Sequence, residues 1–215
     1  MLVSDSVVVY PVHAVVVMGV SGCGKTSVGS RLAQLLGNAR FIDADSLHSQ
    51  LNVSKMTQGI PLTDGDRWPW LKRVREQIQA EAGTLVTAQG SWDDSRHGAD
   101  TRPMYVVCAC SALKRSYREL LSRGDLDAAA EEVLHDTLFV HLSVDREVLA
   151  HRLGSRTNHF LGSQLLESQL SALEPPDGTR EAAMVVDGNR TLDAVVDDVY
   201  ARIQSRVATV AQQVT

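Results

Sequence analysis

The sequence has no excess of positive charge: 21 lysines and arginines stand against 26 aspartates and glutamates, a formal net charge of −5. No basic stripe overrides that balance, so neither nucleic acid nor an anionic membrane surface is expected as a partner. Cysteine is equally sparse. Cys23, Cys108 and Cys110 make an odd number, and a disulfide at Cys23 would distort the glycine turn around it, which excludes a disulfide framework and points to a reducing, cytoplasmic compartment. Neither a signal peptide nor a membrane span is expected, because the stretch 1–20 lacks a basic start, carries Asp5, Pro11 and His13, and runs straight into that turn. Internal repeats and low-complexity tracts are absent. What is present is a chain of 215 residues, 44% hydrophobic and 22% charged, the size and balance of one compact domain with a core of its own.

The glycine turn organises the rest. Gly19-Val20-Ser21-Gly22-Cys23-Gly24-Lys25-Thr26 fits G-x-x-x-x-G-K-[ST] and follows the apolar run Ala14–Met18. A chance match in a chain this long has odds of roughly one in a hundred. The context also fits, since Val28, Leu32, Leu35 and Leu36 share one helical face and Gly37 follows as a stop. Strand, glycine loop and helix together make a phosphate cradle: backbone N–H groups point inward and the helix presents its positive end to the same anion. Lys25 is placed to reach the β and γ phosphates, and Thr26 to offer its hydroxyl to Mg2+.

Further along, Ala39–Ile42 reads as a strand ending in Asp43-Ala44-Asp45. In an open parallel sheet the carboxyl end of a strand faces the ligand crevice. One of these carboxylates is explained by capping the helix that follows. Both together, beside a phosphate loop, suit Mg2+ coordination through water and orientation of an acceptor hydroxyl. Pro69 and the Leu71, Val74, Ile78 stripe mark the first turn and buried face of a long helix, with Trp68 and Trp70 packing. Arg67 suits either a surface pair with Asp64 or Asp66, or a substrate contact. From Glu81 to Arg102 periodicity fails and glycine and aspartate accumulate, which predicts a long surface-loop insertion.

Met104–Cys108 is a third strand, continuously apolar as buried parallel strands are. Beyond it Lys114 and Arg118 lie one helical turn apart. A fourth strand over Thr137–Leu142 leads to a helix–turn–helix excursion, 152–175, carrying Arg152, Arg156 and His159. Arginine there suits a lid, as a planar donor for charge spreading on a transferring phosphoryl group. Ala183–Asp187 is a fifth strand, and the Gly188-Asn189-Arg190 loop after it is placed to meet an adenine edge.

Taken together, MGVSGCGKT, DADSLH, NVSKMTQGIPLTDGDRWPWL, CSALKRSYRELL and RTNHF followed by LLESQLSALEPP resemble the gluconate kinases, relatives of shikimate and adenylate kinases. The likeness runs from Val15 to Val196; the glycine loop is generic, whereas GIPLTDGDRWPWL, CSALK and SQLSALEPP are specific. It implies an α/β P-loop kinase fold over 1–215, with a five-stranded parallel sheet flanked by helices and a helical lid. The implied reaction is ATP + D-gluconate → ADP + 6-phosphogluconate, and family members are often homodimers. The implied site has the loop from Gly19 to Thr26 with Ser27 and Asn189 on the nucleotide, Thr26 and Asp43 on Mg2+, and Asp45 on the 6-hydroxyl. Arg67, Lys114, Arg118, His48 and His159 fall to the substrate, and Arg152 and Arg156 to the phosphates. Cys23 and Asn158 depart from the usual serine and glycine. A shikimate-type kinase would leave CSALK and GIPLTDGDRWPWL unexplained, and a GTPase-type switch lacks N-K-x-D.

Overall fold

The computed structural model describes residues 12–90, 103–123, 134–154 and 159–213. Five strands, β1 (Val12–Met18), β2 (Ala39–Asp43), β3 (Met104–Ala109), β4 (Leu134–Ser143) and β5 (Ala183–Asp187), form one sheet in the order β2-β3-β1-β4-β5. Every neighbouring pair is parallel. Seven helices flank it among the described residues: α1 (Lys25–Leu36), α2 (Gln50–Thr57), α3 (Asp64–Gly90), α4 (Arg115–Arg123), α5 (Arg146–Gly154), α6 (His159–Ala172) and α7 (Leu192–Gln213).

The apolar run of β1 has a simple cause: both faces of this central strand are covered. Val12, Ala14, Val16 and Met18 pack with Trp70, Leu71, Val74 and Ile78 of α3 and with Tyr117 and Leu121 of α4. Val15 and Val17 face the other layer, where Val28 and Leu32 of α1 meet Val195, Val196, Val199 and Ile203 of α7. All the strand carboxyl ends therefore open on one edge, and the functional loops gather there.

Two expectations are corrected along α3. The stretch 81–90 is helix rather than the start of a loop. Ala82 and Leu85 continue the buried stripe of Ile78, while Gly83 and Gly90, poor helix formers, mask the period in the sequence. Residues 91–102 lie outside the described residues. Pro69 sits in the second helical turn, not the first; Thr63 and Asp66 mark the start by reciprocal capping. The Asp66 carboxylate accepts from the Thr63 N–H at 2.8 Å, while the Asp66 N–H donates to the Thr63 hydroxyl at 3.3 Å.

Candidate active site

The phosphate loop is built by backbone geometry. Gly24 sits in the left-handed region at φ +103° and leads into α1, whose first amides have no side-chain cap. Those N–H groups and the helix dipole are therefore free to meet an anion. Gly19, at φ +141°, has room for no side chain, because a Cβ there would stand 2.8 Å from the Cys23 sulfur and 3.1 Å from the Leu142 carbonyl oxygen. Cys23 thus fills the space beneath the loop, buried, and its departure from serine removes no group from the cradle. Lys25 Nζ donates to the Val20 carbonyl at 3.1 Å, folding its charge back over the loop.

At the lip of the loop the Thr26 hydroxyl donates to Asp43 Oδ2 at 2.9 Å. The other Asp43 oxygen accepts from the Asp45 N–H at 3.0 Å, capping a 3-10 turn over Ala44–Leu47. Asp43 is the capping carboxylate, which leaves Asp45 exposed beside it. Among the described residues no group of three or more His, Cys, Asp or Glu converges into a protein-only metal centre. One hydroxyl and one carboxylate facing each other suit Mg2+, which keeps waters and substrate phosphates among its ligands.

Two crevices open from this point. The larger, about 560 Å3, runs over the loop and α1 and is closed by Arg152, Gly188, Arg190, Leu192 and Val195. The smaller, about 90 Å3, is walled by His48, Arg67, Trp70, Leu165, Ser168 and Gln169. Ser21, Lys25 and Asp45 line both. Arg152, at the end of α5, donates to the Gly188 carbonyl at 3.0 Å. His48 stacks on Trp70 with ring centroids 4.2 Å apart, and the Trp70 indole donates to the Ala44 carbonyl at 2.7 Å. Burial pushes the His48 imidazole below its ordinary pKa; Asp45 opposes that shift, and Arg73 and Arg67 add to it.

The cations expected at the substrate separate. Arg67 lines the smaller crevice, with one guanidinium nitrogen 3.9 Å from Asp64. Lys114 turns aside to Asp64, at 2.7 and 2.9 Å. That hydrogen bond, with one from the Tyr117 hydroxyl, holds the Asp64 carboxyl below its usual range and raises the Lys114 ammonium. Arg118 corrects the expectation outright. Its side chain is 1% exposed and bridges both Glu181 oxygens at 2.7 and 2.8 Å. It also donates to the carbonyls of Ala112, Leu113 and Glu174 at 3.0 to 3.2 Å. Lys114 and Arg118 thus bond to two different partners, Asp64 and Glu181.

These bonds explain the specific motifs. The turn in CSALK holds Ala112 at φ +43°, a conformation a non-glycine residue keeps only when its surroundings enforce it. Here Glu174 of the LEPP segment accepts from the Arg115 N–H at 2.7 Å and donates its own N–H to Leu113 at 2.9 Å. Asn189, expected at the adenine, accepts from the Asp145 N–H at 3.0 Å and holds the loop; its neighbours Arg190 and Leu192 line the larger crevice instead. Sequence reasoning missed Gln169, whose side-chain oxygen accepts from the Ser21 N–H at 2.6 Å. Its place in SQLSALEPP was the available signal. Arg156 lies outside the described residues, as does the side chain of His159.

A phosphate loop at the carboxyl edge of a parallel sheet, facing a second crevice across shared residues, defines a P-loop kinase. A family model described as an AAA domain matches residues 15–176. Gluconokinase of Gluconobacter oxydans is 41% identical over 88% of this chain and 90% of its own length. A probable gluconokinase of Xenopus tropicalis is 39% identical over 90% and 94%. The crystal structure of a gluconokinase from Sinorhizobium meliloti superposes with a TM-score of 0.72 at 37% identity, covering 94% of this chain and 97% of that one. The chain belongs to the gluconokinase family.

Proposed function

We propose that the protein transfers the γ-phosphoryl group of ATP to the 6-hydroxyl of D-gluconate, releasing ADP and 6-phosphogluconate. The observation that carries this, beside the family, is the meeting of two crevices at Ser21, Lys25 and Asp45. The larger, within the usual range for a ligand site, takes the nucleotide: the loop amides and Lys25 hold its phosphates, with Arg152 on the far wall. Thr26 and Asp43 would hold Mg2+, which when bound neutralises charge across the β and γ oxygens. Asp45 accepts a hydrogen bond from the 6-hydroxyl and aligns that oxygen with the γ-phosphorus. As the new O–P bond forms and the bond to the ADP oxygen breaks, Asp45 takes the proton and passes it to solvent. Arg67 supplies the positive charge for the sugar-acid carboxylate, and the His48–Trp70 stack gives the chain a flat wall.

A cationic wall is left unpaired by a neutral sugar, and a site built for a missing group discriminates by as much as about 10⁴-fold. Steady-state ADP release at saturating Mg·ATP should therefore give D-gluconate a far higher kcat/KM than D-glucose. Comparable values would defeat the carboxylate assignment. Silence with gluconate and turnover with shikimate would overturn the reaction itself.

A further inference from the structure

We infer that Gln169 is a positioning residue for the acceptor: by holding the Ser21 amide it fixes α6 as the wall of the smaller crevice and turns its own NH2 group toward the sugar acid. The inference rests on the reaction proposed above. Ser21 is the third residue of the phosphate loop and lines both crevices, so its amide stands where donor and acceptor meet. Its N–H donates to Gln169 Oε1 at 2.6 Å across 148 positions of chain. Because that N–H can only donate, the oxygen end of the side-chain amide must face it, which fixes the amide orientation without ambiguity. The Nε2 group has no protein partner among the described residues, and a neutral pair of N–H donors suits the hydroxyl or carboxylate oxygens of a polyol acid.

The rest of α6 supports this placement. Leu165, Ser168 and Gln169 fall at i, i+3 and i+4 and all line the smaller crevice, opposite His48, Arg67 and Trp70. Five residues beyond Gln169 the chain is pinned: Glu174 is bonded to Leu113 and Arg115 and its carbonyl to Arg118. Gln169 therefore sits at the anchored end of the lid excursion, where a side chain can be held to hydrogen-bond precision. A residue that only sealed the nucleotide would line the larger crevice, and Gln169 does not.

The test is steady-state kinetics of Gln169→Leu and Gln169→Glu with gluconate and ATP varied in turn, alongside thermal unfolding. Gln169→Leu keeps the volume and loses both hydrogen bonds. It should lower kcat/KM for gluconate by about 10- to 100-fold, mostly in KM, while the KM for ATP stays within about twofold. Gln169→Glu can still accept from Ser21 but sets a negative charge against an anionic substrate, so it should raise the gluconate KM further than Gln169→Leu. Should leucine not fold, the glutamate variant alone decides the matter. A gluconate KM unchanged in either variant, or equal losses toward ATP and gluconate, overturns the inference while wild-type turnover of gluconate leaves the reaction standing. Absence of gluconate turnover in the wild type would instead remove the reaction on which the inference rests.

Discussion

Replacing Arg118 with methionine tests whether this guanidinium is a strut or a ligand. The side chain is buried and bonded to Glu181 and to three carbonyls. Burial pushes the Glu181 carboxyl up in pKa, and its bond to Arg118 more than offsets this, holding it below the usual range. Methionine fills similar space but strands the carboxylate and the carbonyls. Breaking one partner of a buried pair costs about 3–5 kcal/mol. At roughly 2–4 °C per kcal/mol for a chain of this size, the melting temperature should fall by about 6 to 20 °C. Adding Glu181→Leu should recover part of that loss, since the stranded charge is then gone. Differential scanning calorimetry gives the stability, and gluconate KM measured well below both transitions gives the site. A wild-type melting temperature with a strongly raised gluconate KM would refute the structural role and return Arg118 to the substrate.

Asp45→Asn should lower kcat by about 10²-fold or more while the KM for ATP changes by only a few-fold, because the carboxylate serves the acceptor; parallel losses in kcat and in Mg·ATP affinity would place Asp45 on the metal instead. Asp66 is held at a pKa of about 2, against the usual 3.8, by Lys55 first and then by the N–H and hydroxyl of Thr63. A depressed carboxyl stabilises the fold above its unfolded pKa and loses that contribution as pH falls toward the folded one. The stability gap between wild type and Asp66→Asn should therefore be full at pH 7 and close between about pH 4 and pH 2. Urea midpoints at a series of pH values measure it, and a gap independent of pH would show that the capping geometry, not the charge, matters.

What the sequence made legible is what it encodes locally. The phosphate loop, the two aspartates at the carboxyl end of β2 and the fifth strand over Ala183–Asp187 are each set by a few adjacent residues. The errors share a different origin. The last turns of α3 bury Ala82 and Leu85 at helical spacing from Ile78, but Gly83 and Gly90 interrupt the pattern as helix breakers do. Arg118 looks like half of a basic pair until Glu181, 63 positions away, is brought against it. Gln169 carries no charge and follows no catalytic pattern; only its contact with Ser21 gives it a place in the site. Asn189 has a role in the loop that its type alone does not reveal, because a turn side chain that bonds a nearby backbone amide looks the same in sequence as one that bonds a ligand.

The clasp between the CSALK turn and the segment from Glu174 to Glu181 also bears on the order in which the protein acquires its shape. Contacts separated by many residues form only after loop-closure entropy has been overcome, and they come late in folding. The capping box at Thr63 and Asp66 needs four consecutive residues. The Arg118 strut needs a partner that follows it by 63 positions. During synthesis the chain can shape the start of α3 well before Glu181 has left the ribosome, but the clasp behind the CSALK turn cannot close until then. The nucleotide crevice waits longer still, since Gly188, Arg190, Leu192 and Val195 on its wall all follow Glu181 in the chain.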